Sequence, residues 1–494
     1  MKRAPVLPVM VLLAALLSAC GTVGTPPATP GAAFQGQAQS GRVQSAATPA
    51  IPSTASPSFP AIRVVAAVLE VGGRSVVTAS LNFSAGTGAG LMDQAIGVSV
   101  ESAPAGVSVQ LLPMSSGADG LNTAPERTLP VEVRADLAAS AASPGAGRQS
   151  AGQEDIWLNV RQGAQSLRVR LPVLWVSRAV LPGSAGIGAP GSSVQAAATV
   201  PCGPDIYVFA PLNAPLERRT RLLRLRPQTE TAPATLQTFD LGLAPTEGVT
   251  SLLCDPSGAV WLTLHSGGAQ GSVIARFLPE SGQLTRFGAD ATADTLNNLT
   301  RTPDGRLWFV QYKRDRLGEF DPQTGRVTSH AVAENAENLR LGQDGALYYS
   351  QFYAHPAVVR YDPATGSSTV MGVGTSGKNL PRAVVQAGGA VWYVDAWTQA
   401  LVRIDPASGQ LSPARLPAGA TPGELVATPD GTLWLADAAA HVLYRLAPGS
   451  LEAVTVPLGA GPLAGGSIDG PRALSVDDSG RLWYESGGQL VGQW

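Results

Sequence analysis

The chain has 494 residues and a formal net charge of −2, with 44% hydrophobic and only 14% charged residues. Its 56 glycines and 40 prolines favour short strands and tight turns over long helices. The balanced charge and the lack of a long basic run indicate no nucleic-acid partner, and three cysteines in this length exclude a fold held mainly by disulfides.

Residues 1–20 are a predicted export signal, in which two basic residues precede an apolar run too short for a stable membrane span. The run ends in Leu17-Ser18-Ala19-Cys20, which resembles the bacterial lipobox. The resemblance implies that the mature chain begins at an acylated Cys20 and sits on a lipid membrane of the cell envelope, outside the cytoplasm. Gly21 in place of an aspartate favours the outer membrane. An ordinary secretory signal with an incidental cysteine is the alternative.

Three further segments precede the long repeat. Residues 21–60 hold almost no large apolar side chains, which predicts a disordered tether. Residues 61–178 carry about seven short stretches that alternate polar and apolar residues, which predicts a β-sandwich. The phrase from Ala103 to Val109 resembles bacterial Ig-like domains, and a generic spacer is the alternative. Residues 179–195 are rich in Gly, Pro, Ser and Ala and read as a linker.

A two-part phrase then repeats several times, first as Pro303-Asp304-Gly305-Arg306-Leu307-Trp308 followed by Glu319-Phe320-Asp321-Pro322. One aromatic residue marks each unit: Tyr207, Trp261, Trp308, Tyr348, Trp392, Trp434 and Trp483. Units of 40 to 54 residues with this pattern are typical of propeller blades. The sequence therefore predicts an all-β protein in which the Ig-like sandwich is followed by a seven-bladed β-propeller over residues 196–494.

The last unit is incomplete, because the chain stops at Trp494 after only three predicted strands. A propeller avoids an open sheet edge at the point where its ring closes. We therefore expect a strand from about residues 178–195, or just after them, to complete the seventh blade. We also expect each repeated aromatic side chain to pack between neighbouring blades.

The phrases at Pro303–Phe309 and Leu317–Gly325 resemble the streptogramin B lyase (virginiamycin B lyase) family and related NHL and SMP-30-like propellers. The resemblance implies a lyase that opens a cyclic ester with Mg²⁺, using His and Glu residues on one face. Where that family has a His eleven residues before the blade aromatic, this chain has other residues: Thr250, Asn297, Glu337, Pro381, Gly423 and Arg472. Where the family has a Glu three residues after it, this chain also differs: Leu264, Gln311, Gln351, Asp395, Asp437 and Ser486.

Three groups of residues are candidates for sites. A polar ring is predicted at the channel mouth, where inner strands start, and suits either a polar ligand or simple hydration: Asn298, Asn338, Arg382, Glu424 and Arg472. Asp395 and Asp437 occupy equivalent places in adjacent units, where they could hold a divalent cation or cap backbone N–H groups. Cys202 and Cys254 could form a disulfide between two blades if their Cα atoms lie within about 7 Å.

The sequence thus favours an anchored extracytoplasmic lipoprotein whose propeller binds an unknown ligand or envelope protein without catalysis. The alternative is a lyase or hydrolase of the streptogramin lyase-like or SMP-30-like kind that uses a divalent cation. An elimination needs a base and an electrophile for the developing charge, and two aspartates alone do not supply both.

Overall fold

The structure is a computed structural model of the chain. It describes residues 61–65, 67–70, 74–84, 95–105, 107–116, 126–136, 152–176, 178–180, 198–209, 220–227, 235–266, 271–288, 295–312, 314–334, 336–351, 355–372, 380–458, 471–486 and 489–493. The predicted export signal with Cys20 and the predicted tether lie outside these residues. All regular secondary structure in these residues is β-strand. None of these residues belongs to a helix long and apolar enough to cross a membrane.

Nine strands come first: β1 (Ala61–Val65), β2 (Ala67–Glu70), β3 (Arg74–Ser84), β4 (Ile96–Ser102), β5 (Val107–Leu111), β6 (Ser115–Ser116), β7 (Glu126–Asp136), β8 (Gly152–Gln162) and β9 (Gln165–Val176). One sheet has the order β1-β3-β7-β5, with β6 also on β7, and the other has the order β2-β9-β8-β4. The two sheets pack as a β-sandwich, as the alternation of polar and apolar residues predicted.

The two sheets share one hydrophobic core. Its buried residues fall at every second position of the strands, because successive side chains of a strand point to opposite faces. The core comprises Ala67, Leu69, Ala79, Leu81, Phe83, Leu129, Val131, Val133, Ile156, Leu158, Val160, Val169, Leu171 and Val173. The alternating pattern in the sequence therefore gives the inward face of both sheets.

Seven four-stranded antiparallel sheets follow, one for each predicted blade. Blade 1 contains β11 (Ala198–Cys202), β12 (Asp205–Phe209), β13 (Arg221–Arg226) and β14 (Thr235–Asp240). Blade 2 contains β15 (Glu247–Cys254), β16 (Val260–Ser266), β17 (Val273–Leu278) and β18 (Gln283–Phe287). Blade 3 contains β19 (Leu296–Arg301), β20 (Leu307–Gln311), β21 (Arg316–Asp321) and β22 (Arg326–Ala331). Blade 4 contains β23 (Glu337–Leu341), β24 (Leu347–Gln351), β25 (Ala357–Asp362) and β26 (Ser367–Met371). Blade 5 contains β27 (Pro381–Ala387), β28 (Ala390–Asp395), β29 (Ala400–Ile404) and β30 (Leu411–Pro413).

Blade 6 contains β31 (Leu425–Ala427), β32 (Leu433–Asp437), β33 (Val442–Leu446) and β34 (Ala453–Pro457). Blade 7 contains β35 (Arg472–Val476), β36 (Leu482–Ser486) and β37 (Gln489–Gln493), and its outer strand is β10 (Arg178–Val180). Arg178 pairs with Gln493, so a strand from before the first blade closes the ring. The predicted boundary after residue 178 is therefore displaced: the sandwich ends with β9, and Arg178 already belongs to the propeller.

Each blade aromatic is wedged against the next blade, as the repeat predicted. The seven side chains are at most 9% exposed to solvent. Trp261 of blade 2 packs on Phe309 and Phe320 of blade 3, for example, and Trp392 of blade 5 packs on Leu435 of blade 6. Trp483 of blade 7 packs on Ile206, Val208 and Leu225 of blade 1. The interface that closes the ring is thus built like the other six.

Polar anchors fix the orientation of several of these aromatic rings. In the turn between first and second strands, Asp255 accepts a hydrogen bond from Trp261 Nε1 at 2.8 Å, and Asp477 accepts one from Trp483 Nε1 at 2.9 Å. The same turns need a glycine, since Gly258 and Gly480 have φ values of 82° and 81°. The Asp-x-x-Gly phrase therefore combines a tight turn with a fixed ring.

Candidate ligand-binding channel

A cavity of about 680 Å³ lies on the propeller axis and is lined by the inner strands of all seven blades. Inner strands contact their neighbours around the whole ring, including β35 with β11. Because neighbouring strands of a blade are antiparallel, the starts of inner strands and the ends of second strands lie on one face. That face is the channel mouth at which the polar ring was predicted.

The inner strands are not regular at this mouth. The register between the first and second strands of blade 3 shifts between Asn297 and Thr300. The same shift occurs at matching places in β15, β23, β27 and β35. The irregularity brings a residue into the left-handed region at Asn298 and Asn338, with φ values of 54° and 55°. Such a β-bulge removes backbone groups from the strand ladder and turns them toward other partners. Backbone N–H groups near the bulge thereby become available to the preceding blade.

Side chains of the preceding blade accept these N–H groups. Ser251 Oγ accepts from Leu299 N at 2.8 Å, and Asn298 Oδ1 accepts from Asn338 N at 3.1 Å. The Glu424 carboxylate accepts from Ala473 N at 2.9 Å and from Leu474 N at 2.7 Å. We call these contacts the bulge ties. They connect blade 2 to 3, blade 3 to 4 and blade 6 to 7.

The structure therefore divides the predicted polar ring. Asn298, Asn338 and Glu424 line the cavity, and Asn298 and Glu424 also form bulge ties. Arg382 is exposed and does not line the cavity. The backbone of Arg472 pairs with Glu485, and its side chain lies outside the described part of the molecule. The five residues consequently do not form one uniform ring around the mouth.

Sequence reasoning missed Arg340, which lines the cavity. Its side chain is exposed to solvent. Burial lowers the pKa of the Arg340 guanidinium, and the negative charge of Glu424 partly opposes that effect. A signal was present in the sequence. The residues eight positions before the blade aromatics are Thr199, Leu253, Thr300, Arg340, Val384, Val426 and Ser475. Arg340 is the one charged residue among these seven.

Glu337 lies at one of the positions where the lyase-like families have a His. Burial raises the pKa of its carboxyl, and the positive charge of Arg382 partly offsets the rise. Among the described residues, no hydrogen-bond partner is found for its side chain. It is thus the one carboxyl at the six compared positions. Its raised pKa moves its titration toward neutral pH, where a general acid or base is most effective.

The two candidate metal ligands are used within their own blades. Asp395 Oδ1 accepts hydrogen bonds from the backbone N–H groups of Leu380, Trp397 and Thr398 at 3.0, 2.9 and 3.4 Å. Asp437 accepts bonds from Thr421 N at 2.7 Å, Thr421 Oγ1 at 2.7 Å, Ala440 N at 2.9 Å and the Tyr444 hydroxyl at 3.1 Å. Both carboxylates therefore cap loops.

The histidines do not extend this pair into a donor set for a divalent cation. His330 bonds to Glu319 at 2.7 Å and stacks on Trp308 with ring centroids 4.8 Å apart, while His355 pairs with Glu334. The described part of the chain contains no group of three or more His, Cys, Asp or Glu residues that could hold a metal ion. The described residues therefore do not fit the Mg²⁺ that the resemblance implies.

Cys202 and Cys254 form a disulfide, with their Cα atoms 5.5 Å apart. They end the inner strands β11 and β15, so the bond connects blade 1 to blade 2 at the face opposite the mouth. No bulge tie was found between these two blades among the described residues. The disulfide thus connects a pair of blades at the start of the ring.

Comparisons with known proteins agree with this architecture. The model of the virginiamycin B lyase family matches residues 234–493. The crystal structure of selenomethionine-substituted virginiamycin B lyase from Staphylococcus aureus is 16% identical, with a TM-score of 0.50 over 64% of this chain and 98% of that chain. The same values hold for a catalytically inactive variant of that enzyme with quinupristin.

A streptogramin B lyase structure is also 16% identical, with a TM-score of 0.50 over 65% of this chain and 97% of that chain. At this identity the structural likeness establishes the fold alone. No curated protein matches the chain significantly. Since the family model spans more than half of the chain, from the outer strand of blade 1 to the last strand of blade 7, the protein belongs to the virginiamycin B lyase family.

Proposed function

We propose that this member of the family is a lipid-anchored envelope protein whose propeller binds a ligand in the axial channel without opening a cyclic ester. One observation carries the proposal: at the positions of the family's His and Glu residues, this chain supplies no histidine, and its aspartates cap loops. Elimination requires a base near neutral pH together with stabilisation of the developing negative charge. Asp395 and Asp437 provide neither while their oxygens hold backbone N–H groups.

The mouth residues support binding over catalysis for a second reason. Asn298 and Glu424 contribute to the stability of the ring, because their side chains accept backbone hydrogen bonds from the next blade. Thr250, at another family His position, donates a hydrogen bond to Leu296 O at 2.5 Å and so also links two blades. Groups that are fixed in this way remain oriented around the cavity but are not free to transfer protons.

The proposed anchoring is supported by the lipobox-like sequence within the first twenty residues. An acylated Cys20 would hold the chain on the membrane, the segment 21–60 would act as a tether, and the sandwich would act as a spacer. In this arrangement the propeller presents its channel to the extracytoplasmic space, where it meets a small ligand or an envelope protein.

A residual lyase or hydrolase activity is the second candidate, and Glu337 favours it. Its carboxyl has a raised pKa and lies at a family His position, which suits a general base. This candidate predicts that Glu337→Gln abolishes turnover while leaving the fold intact.

The test for catalysis is ring opening of quinupristin by the purified full-length protein in the presence of Mg²⁺. We expect no product above the buffer control, while an established virginiamycin B lyase in the same assay forms product. Product formation that disappears in Glu337→Gln or Asp395→Asn would overturn the non-catalytic proposal.

Anchoring has a separate test, which compares the wild type with Cys20→Ser in cell fractionation. We expect the wild type in the membrane fraction and in metabolic labelling with a fatty acid, and the variant without label. A wild-type protein that carries no label and is recovered in the soluble fraction contradicts the anchor.

A further inference from the structure

The axial cavity is lined by a cation, Arg340, that forms no ion pair with the described residues. Arg340 Nη1 donates one hydrogen bond, to Leu339 O at 3.2 Å. A guanidinium has five N–H donors, and among the described residues Arg340 makes no other hydrogen bond and no ion pair. Most of its donors therefore have no partner among the described residues, and the residue lines the channel.

The negative charge that acts on Arg340 is already engaged in hydrogen bonds. Glu424 is close enough to affect Arg340 electrostatically, but its carboxylate accepts Ala473 N and Leu474 N. The two side chains belong to blades 4 and 6 and both line the cavity without forming an ion pair. The charge of Arg340 is thus left for a partner that enters the channel.

A cation that lines a cavity and has no protein partner remains available to a molecule of opposite charge. Cations in such positions are found where a ligand carries the opposite charge, and a guanidinium presents a fork of N–H groups to carboxylate and phosphate. Nothing in the blade repeat requires an arginine here, since Thr300 and Ser475 occupy the same position in other blades. Packing therefore does not explain the residue.

Two neutral polar side chains from blade 3 line the same cavity. Asn297 and Thr300 make no side-chain hydrogen bond to the described part of the chain. An amide and a hydroxyl can both donate to an anion. Blade 3 is the neighbour of blade 4, so these groups and Arg340 come from adjacent walls of the channel.

We propose that the axial cavity binds a small anion through a carboxylate or phosphate group, with Arg340 as the anchor and Asn297 and Thr300 as further donors. The volume of about 680 Å³ suits a metabolite-sized molecule. This inference rests on the proposed ligand-binding function and gives its ligand a chemical class.

The experiment uses the purified full-length protein and two probes, inorganic phosphate and acetate, titrated by calorimetry at constant ionic strength. We expect saturable binding of at least one probe. Binding of both indicates recognition of a shared anionic group, and binding of phosphate alone restricts the ligand to a phosphate. Saturable binding of neither probe overturns the proposal.

Arg340→Gln separates this site from general charge effects. We expect its affinity for the bound probe to fall about tenfold or more, since the main donor is lost. The matched control is Arg326→Gln, which removes an equal charge from the exposed outer strand of blade 3 and should bind like the wild type. Equal losses in both variants, or no loss in either, contradict a site at Arg340.

Thermal unfolding provides the folding control. Arg340→Gln should unfold close to the wild-type temperature, because it removes no ion pair with the described residues, and phosphate should raise the wild-type temperature but not that of the variant. A phosphate-dependent rise of equal size in the variant contradicts the proposal. The quinupristin assay is independent of these results: turnover would refute the non-catalytic function and leave the anion site standing.

Discussion

Two sets of positions recur in every blade, and they differ in how far the residues may vary. The blade aromatic position holds Trp or Tyr seven times, and all seven side chains are almost completely buried against the next blade. The position eight residues earlier, on the inner strand, holds Thr, Leu, Arg, Val or Ser. One set must fill the same gap between twisted sheets seven times, whereas six members of the other set line the channel and the seventh, Val384, is buried. Stability thus depends on the repeated set, and specificity can reside in the variable set.

The largest expected effect breaks the repeated set at the ring closure. Trp483 is fully buried and packs across the interface between blades 7 and 1. We expect Trp483→Ala to lower the free energy of unfolding by about 3–5 kcal/mol, measured by chemical denaturation. Trp397→Ala is the matched control, because Trp397 is 61% exposed, and should change it by less than about 0.5 kcal/mol. Similar losses in the two variants would show that the interface does not depend on its aromatic residue.

The disulfide comes next. It closes a segment with a sequence separation of 52 residues between two inner strands. We expect Cys202→Ala/Cys254→Ala to lower the free energy of unfolding by about 2–4 kcal/mol, because the unfolded chain gains freedom. Thiol titration of the denatured wild type, with and without reductant, checks whether the bond forms. Two free thiols at these positions without reductant would contradict the pairing.

A smaller effect concerns a close approach inside blade 3. A Cβ atom on Gly318 would lie 2.1 Å from Cε2 of Phe309, so Gly318→Ala forces that ring to move. We expect a loss of about 1–3 kcal/mol in denaturation. Gly97→Ala is a control in a strand of the sandwich, where no atom lies within 4 Å of the new Cβ. A stable Gly318→Ala variant would mean that Phe309 is not fixed against β21.

The bulge ties should have a weaker effect. Glu424→Gln keeps one acceptor for the backbone of blade 7 but loses the charge, so we expect a loss of about 1 kcal/mol. The control Glu452→Gln removes an exposed carboxylate that pairs with Arg415 and should be nearly silent. If both variants unfold like the wild type, the ties do not contribute to ring stability.

The stability of the protein at low pH depends on the aspartates that cap loops. Burial alone would raise the pKa of Asp437, but its hydrogen bonds from Thr421, Ala440 and Tyr444 outweigh burial and hold that pKa below its ordinary value. The resulting stabilisation is present above the unfolded pKa of about 3.9 and is lost as pH falls through the folded value. We expect Asp437→Asn to flatten the fall of melting temperature below about pH 4. Identical acid profiles in variant and wild type would refute this contribution.

The sequence predicts the propeller well because each blade repeats one local phrase. Seven aromatic positions predict seven sheets, and the missing strand of the last unit is found in Arg178–Val180. The sandwich is predicted by alternation alone, but its boundary is not, since Arg178 pairs with a strand more than three hundred residues away in the sequence.

The channel is harder to predict, because its contacts join different blades. Glu424 reads as a ligand-binding residue in the sequence, whereas its carboxylate holds backbone N–H groups of Ala473 and Leu474. Those groups are available only because the inner strand bulges there, and no residue type in the phrase signals the bulge. Arg340 was missed because nothing in the sequence of its own blade marks it as unusual. It stands out only when the seven equivalent positions are compared, since it is the charged residue among them.

The assignment of packing and ligand binding to separate positions can be tested most directly by thermal unfolding with and without phosphate, in the wild type, the packing variant Gly318→Ala and Arg340→Gln. The account predicts that Gly318→Ala lowers the melting temperature and keeps the rise caused by phosphate, while Arg340→Gln keeps the melting temperature and loses that rise. If either variant changes the melting temperature and the phosphate effect together, packing and ligand binding are not carried by separate positions.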